Sequence, residues 1–169
     1  ELLAQKHGLS TEQKNVMIEQ IGEVLPTSTH DLIFTGGIRA LGDDEQQAEW
    51  LPLCESYKII GAYAQTELGH GSNIRGLETT AVYHQATEEF ELHSPTLTST
   101  KWWPGSMGAC ATHAIVFAML SVNGEPKGMH GFIVPIREPA THLELPGVCV
   151  GDIGPKLGMS TVDNGFLRL

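Results

Sequence analysis

The chain has 169 residues, 41% hydrophobic and 18% charged, enough for one soluble globular domain, alone or with a helical extension. Its formal net charge of −10 excludes a nucleic-acid groove, which requires basic surface. No apolar run is long enough to span a bilayer, and Cys54, Cys110 and Cys149 lack the spacing of a zinc knuckle or a disulfide framework; three reduced, mostly buried thiols are expected.

Residues 1–58 read as helical. Ser10 is a plausible N-cap with Gln13 at the capping-box position. Met17, Ile21, Val24 and Leu25 then recur at helical spacing, and Pro26 closes the segment. A second helix is predicted from about His30 to Ala40, interrupted or strained by Gly36 and Gly37. A third, capped by Asp43 or Asp44, runs from Glu45 to about Leu51 and ends near Pro52.

From residue 59 the pattern changes. β-Branched and aromatic residues dominate and glycines punctuate at short intervals. Strands are predicted near Ile59–Gln65, Thr79–His84, Glu89–His93, Ala114–Val122, Gly131–Ile136, Val148–Asp152 and Gly165–Leu169. Ala86–Glu88 and Asn123–Glu125 supply turns. Short strands without intervening helices predict an α+β chain in which N-terminal helices precede an antiparallel β-barrel or sandwich. The chain begins at Glu1 without methionine and stops at Phe166–Leu169 in what reads as mid-strand, so a piece of a longer polypeptide is expected.

Two segments carry the chemistry. Tyr63–Ser72 places small residues, glycines and hydroxyls just after an apolar strand; Gly69-x-Gly71 would expose consecutive backbone N–H groups able to grip oxygens. The alternative is a strand-to-turn transition with a solvated Thr66 and an ordinary turn serine, Ser72. The second segment is Lys101–Gly105, with two adjacent indoles and a Pro-Gly break. Adjacent strand residues point to opposite faces, so one of Trp102 and Trp103 belongs to the core and the other needs a partner, either structural or a flat ligand. Gly76 follows at the wrong spacing for a dinucleotide fingerprint, and Walker, GxSxG, HxH and HExxH patterns are absent, so no metal is expected. Lys101, Arg75 and Lys156 are candidate contacts to anionic groups, or solvated surface cations.

YAQTELGHGS at 63–72, RGLETTA at 75–81, KWWPG at 101–105, HAIVFAML at 113–120, GFIVPIRE at 131–138 and VGDIGPKLG at 150–158 together resemble the peroxisomal acyl-CoA oxidases, the oxidase branch of the acyl-CoA dehydrogenase superfamily of flavoproteins. The resemblance implies part of an N-terminal helical domain (1–58) and a middle β-barrel domain (59–169), with a C-terminal helical bundle absent. It implies FAD as cofactor, with Tyr63, Gln65, Thr66, Gly71, Trp103, Pro104 and Gly105 as flavin contacts and Ser72 near the CoA part of an acyl-CoA substrate. It further implies dioxygen as electron acceptor, a homodimer and a peroxisomal location. Dehydrogenase relatives carry a hydroxyl where Gly105 stands; its loss would leave room for dioxygen, unless Gly105 serves only an unusual backbone angle. The family's glutamate base comes from the C-terminal domain, so no catalytic residue is assigned, and neither Glu67 nor Glu78 takes that role. A dehydrogenase using a protein acceptor and a stand-alone flavin- or CoA-binding module are the rival readings.

Overall fold

The computed structural model describes residues 6–169. Helix α1 spans Thr11–Ile21 and begins on the expected capping box: Ser10 accepts from the Gln13 N–H, and the Gln13 side chain accepts from the Ser10 N–H. It ends at Gly22, in the left-handed region at φ 70°, four residues before Pro26. Val16, Met17 and Ile21 are each more than half exposed, so the apolar positions of α1 find no cover among the described residues.

The predicted second helix is two elements. A π-helical turn covers Thr29–Phe34, closed by the Thr35 N–H on the His30 carbonyl, and α2 covers Thr35–Leu41. The change of winding falls at Phe34–Thr35 rather than at Gly36 and Gly37, which lie inside α2. The wider turn turns His30 and Phe34 into the core while Thr29 and Ile33 face a cleft. Helix α3 runs from Asp44 to Glu55, capped by Asp43 through a second box with Gln46. It passes through Pro52 for one further turn. A proline this late forfeits one hydrogen bond, and the Pro52 and Leu53 carbonyls still accept from Ser56 and Lys58.

Among the described residues eight strands follow: β1 (Gly61–Ala64), β2 (Thr80–His84), β3 (Glu89–His93), β4 (Lys101–Trp102), β5 (His113–Val122), β6 (Glu125–Pro135), β7 (Cys149–Asp152) and β8 (Gly165–Arg168). They form two sheets, and the expected wholly antiparallel arrangement is not found. In the first sheet β5 pairs antiparallel with β6 through the Asn123–Gly124 turn, but β1 and β2 both run parallel to β5. β3 adds to β2 as a hairpin. The second sheet is antiparallel, in the order β4-β8-β7. The described strands leave both sheets open. The tight turns are local and readable; the parallel pairs arise because the long connections 65–79 and 85–112 return the chain in the same direction, which no local signal encodes.

β5 is buried on both faces. Ala114 and Val116 join Ala62, Ala64, Val150 and Leu167 in a core between the sheets. Ile115 and Phe117 join Phe34, Ile38, Cys54 and Ile59 in a second core under the helices. The layers are therefore helices, mixed sheet, antiparallel sheet. Of the three free thiols, Cys54 is buried, but Cys149 is exposed, against expectation.

His30 bolts the helices to β1. Its Nδ1 accepts from the Gly61 N–H at 3.0 Å, so its Nε2 donates to the Cys54 carbonyl at 3.1 Å, which fixes the neutral tautomer. Gly61 must be glycine because a Cβ there would lie 2.0 Å from the Phe34 ring. We expect G61A to destabilise the protein by about 1–3 kcal/mol through overpacking, read as a lower denaturant midpoint at unchanged m-value.

Candidate functional site

A cleft of about 240 Å³ opens where the π-helical turn, the end of β1, the chain leaving β4 and the 159–164 loop converge. Trp102 is half-buried and stacks on Phe166, with ring centroids 6.4 Å apart and planes 16° from parallel, on the face of β4 opposite Lys101 and in the wall of this cleft. Trp103 turns outward with 44% of its surface exposed. It does so at φ 81°, a backbone state that costs a bulky residue on the order of 1–3 kcal/mol and persists only where the surroundings impose it. Here its N–H donates to the Gly165 carbonyl at 3.0 Å and its own carbonyl accepts from Asn164 Nδ2 at 2.7 Å. Lys156 donates to Asn164 Oδ1 at 2.8 Å and lies 6.0 Å from the Trp103 ring centroid. The indole is thereby held as a fixed, flat apolar face on the cleft.

The chain beyond it is equally fixed. Arg137, 5% exposed, donates to the carbonyls of Met107, Gly108 and Ala111, and Asp163 accepts from the N–H groups of Ala109 and Cys110. Pro104 and Gly105 are buried in the cleft wall. The backbone of Gly105 does not adopt a positive φ. A Cβ on it would meet Thr29 Oγ1 at 2.2 Å and Val162 Cγ1 at 3.1 Å, so the place of the missing side chain is filled by Thr29 and is not an open space for dioxygen. Neither suggestion made for Gly105 from sequence therefore describes it.

Behind the cleft lies a buried ion pair. Glu67 and Lys101, with side chains 0% and 1% exposed, meet at 3.0 Å. The Glu67 carboxylate also accepts from the Glu78 and Thr79 N–H groups, the Thr79 hydroxyl and His70 Nδ1. Burial alone would raise its pKa, but the Thr79 hydroxyl, the two N–H groups and the Lys101 ammonium outweigh it and hold the group below the usual carboxylate range. Burial pushes Lys101 below its ordinary value, opposed by Glu67. Lys101 also donates to the Gln65 and Phe117 carbonyls, so it is no contact for an anionic ligand. Glu67, His70 and Glu78 bring ligand atoms within 4.8 Å of one another, yet Glu67 already accepts five hydrogen bonds and has nothing left for a cation.

The comparisons with known proteins are consistent along the whole chain. Residues 2–60 match the acyl-coenzyme A oxidase N-terminal family and residues 62–169 the acyl-CoA dehydrogenase middle domain. The chain belongs to the acyl-CoA dehydrogenase and oxidase family. A peroxisomal acyl-coenzyme A oxidase 2 from Oryctolagus cuniculus is 55% identical over 137 residues, covering 81% of this chain and 20% of that protein. Acyl-CoA oxidase 1 of Arabidopsis thaliana superimposes with a TM-score of 0.94 at 45% identity, covering 98% of this chain and 26% of that one. Acyl-CoA oxidase-2 of Caenorhabditis elegans, solved with FAD, ascaroside-CoA and ATP, has a TM-score of 0.83 at 50% identity over 85% of this chain and 22% of its own. This chain thus spans about a fifth to a quarter of the length of these relatives. The relatives are oxidoreductases, and FAD is a cofactor of the family.

Against that family frame, the cleft gathers Tyr63, Gln65, Thr66, Trp103, Pro104 and Gly105. Tyr63 packs on Phe117, and burial keeps its phenol protonated by raising its pKa. Thr66 is exposed on the rim, and its carbonyl accepts from the Trp102 N–H, which ties the two motif segments together. Gly71 and Ser72 lie outside the cleft in an exposed bend. The N–H groups of Glu67, Leu68, Gly69 and His70 all donate within the fold, to His70, Thr100, Thr98 and Glu67, so of the donors expected at Gly69-x-Gly71 the first two are taken by chain pairing. Arg75 sits in a short 3₁₀ turn, Ile74–Gly76, also away from the cleft. Thr29, Ile33, Met159, Val162 and Asn164 line the cleft without having been singled out. They come from segments distant in sequence, and only the turn-rich run before Met159 gave any hint of them.

Breaking the Glu67–Lys101 pair singly, as E67Q or K101M, is expected to cost about 3–5 kcal/mol, with the double variant recovering part of the loss; denaturant unfolding measures both. Because the folded pKa of Glu67 is depressed, its contribution is present above the unfolded carboxylate pKa and lost as pH falls through the folded one. Acid unfolding of E67Q should accordingly show a shallower dependence on pH than that of the parent protein.

Proposed function

We propose that this chain is part of an FAD-dependent acyl-CoA oxidase that desaturates acyl-CoA to trans-2-enoyl-CoA and reduces dioxygen to hydrogen peroxide in peroxisomal fatty-acid β-oxidation. The observation that carries the reading is the outward indole of Trp103, held at positive φ against a cleft with apolar walls and a polar rim. This fits a planar, polar-edged ring: Trp103 supplies a face, and Gln65, Thr66 and Thr29 supply hydrogen-bonding groups at the edge. Tyr63, Gln65, Thr66, Pro104 and Gly105 would flank the flavin. Gly71 and Ser72, in the exposed bend, would meet cofactor and CoA groups beyond the cleft. Bound there, a flavin would supply the two-electron redox chemistry between acyl group and dioxygen, and the protein would supply position and electrostatics.

We assign residues 1–58 to a helical domain and 59–169 to a middle β domain whose two sheets form a barrel-like sandwich; the core cluster shared by both sheets supports this. Among the cleft-lining residues none is a carboxylic acid or a histidine. The base that removes the substrate's α-proton would therefore lie outside this chain, and a homodimer would complete the site.

The matched dehydrogenase middle domain favours one rival, a dehydrogenase passing electrons to a protein acceptor. Anaerobic reduction of the full-length holoenzyme by acyl-CoA, followed by admission of oxygen, separates the two: rapid reoxidation with stoichiometric peroxide is expected, and slow reoxidation would favour the dehydrogenase. The isolated 169-residue chain is expected to yield no peroxide from acyl-CoA and FAD, as an Amplex-type peroxide assay can verify. W103A in the full-length protein should weaken FAD binding about three- to tenfold, with W103F intermediate, in a flavin-fluorescence titration.

A further inference from the structure

Thr29 is 8% exposed and lines the cleft from the π-helical turn. A threonine in a helix ordinarily turns its hydroxyl back to a carbonyl of the preceding turn, but no described group exchanges a hydrogen bond with Thr29 Oγ1. Among the described residues no side-chain polar atom is both sealed from solvent and unpartnered. The Thr29 hydroxyl therefore opens onto the cleft. It also stands 2.2 Å from where a Cβ on Gly105 would lie, beside Trp103 and Pro104. The side chain that strand β4 and its exit fail to provide at position 105 is thus replaced in space by a hydroxyl from the helical segment, about 76 positions earlier in the chain.

A hydroxyl on a nine-tenths buried residue, with no protein partner, is a cost unless something in the cleft satisfies it. Water can do so in an open cleft, and a ligand that displaces the water must supply a replacement. We infer that Thr29 is a ligand-positioning residue: its hydroxyl exchanges a hydrogen bond with the polar edge of the planar heteroaromatic ligand that lies against Trp103. This rests on the flavin reading. It adds that the helical segment, and not only the β domain, contributes a polar contact, and that positions 29 and 105 are coupled, since a side chain at 105 and the present Thr29 rotamer exclude each other.

The test uses the full-length protein and FAD as probe, with two readouts: the dissociation constant from flavin fluorescence and the visible absorption spectrum of the bound flavin. T29V, which keeps the shape and removes the hydroxyl, is expected to bind FAD about three- to tenfold more weakly and to shift the spectrum, while T29S restores both. G105A, which drives Thr29 from its position, should reproduce the T29V behaviour, and T29A/G105S, which returns a hydroxyl from the other side, should recover affinity. Thermal unfolding of each variant separates a binding defect from a folding defect. Unchanged affinity and spectrum in T29V, with the parent protein binding FAD, would overturn the role of Thr29 and leave the flavin reading intact. Failure of the parent protein to take up FAD would overturn the flavin reading, and the role of Thr29 with it.

Discussion

The architecture turns on a gap in one strand edge. β1 pairs with β5 as far as Val116, and β2 resumes at Met119, so on that edge Phe117 and its neighbour have no strand beside them, while β6 pairs with both along the other. Lys101 reaches into that gap from β4 and donates to the Phe117 carbonyl at 2.7 Å. An ammonium buried there requires a counter-charge, and Glu67 provides it while accepting from the backbone where β2 is about to begin. One ion pair therefore closes the gap, ties the two sheets together and fixes both ends of the loop that runs from 65 to 79. Hydrophobic burial supplies most of the driving force for folding, but it does not choose this path for the chain; the requirement that buried charges and carbonyls be satisfied does.

The cleft depends on that frame. Once Lys101 is anchored, Trp102 falls on the other face of β4 and stacks on Phe166, and Trp103, at φ 81° just beyond the strand, is exposed beside it in the same cleft. Strain at Trp103 is held by Gly165, Asn164 and Lys156 on one side, and by the Arg137 and Asp163 clamps on the following loop. The polar groups are spent on holding the scaffold still, which leaves an apolar indole face and a few side-chain hydroxyls and amides for a ligand. A cleft held this rigidly would lose little entropy on binding a ligand.

Much of this was legible locally. The Ser10–Gln13 capping box, an aspartate cap on α3, the β2–β3 turn, the Asn123–Gly124 hairpin and the extent of β3 follow from residue types whose preferences act over three or four positions. The pair of motif segments was also readable, but the expected split of the two indoles between core and surface was not met: Trp103 leaves β4 at positive φ, where strand alternation no longer applies, and both rings line the cleft. What local rules missed are choices made by distant partners. Gln65 and Trp103 could be marked as candidates, but Thr29, Val162 and Asn164 had no signature, and Lys101 looked like any surface cation until Glu67 was found against it.

The amino-acid sequence by itself determined where α1 and α3 start, where the β2–β3 and β5–β6 hairpins turn back, which chain segments carry glycine and indole chemistry, and which family the chain resembles. Those properties reside in short-range sterics, capping hydrogen bonds and ordered motifs. Only the tertiary structure decided that β1 and β2 run parallel to β5, that the amides of 67–70 are used up internally, that Lys101 is structural, and that Thr29 fills the place beside Gly105. Each of these is settled by what must be hydrogen-bonded, neutralised or excluded once segments tens of residues apart are packed together, and a one-dimensional reading contains no term for that competition.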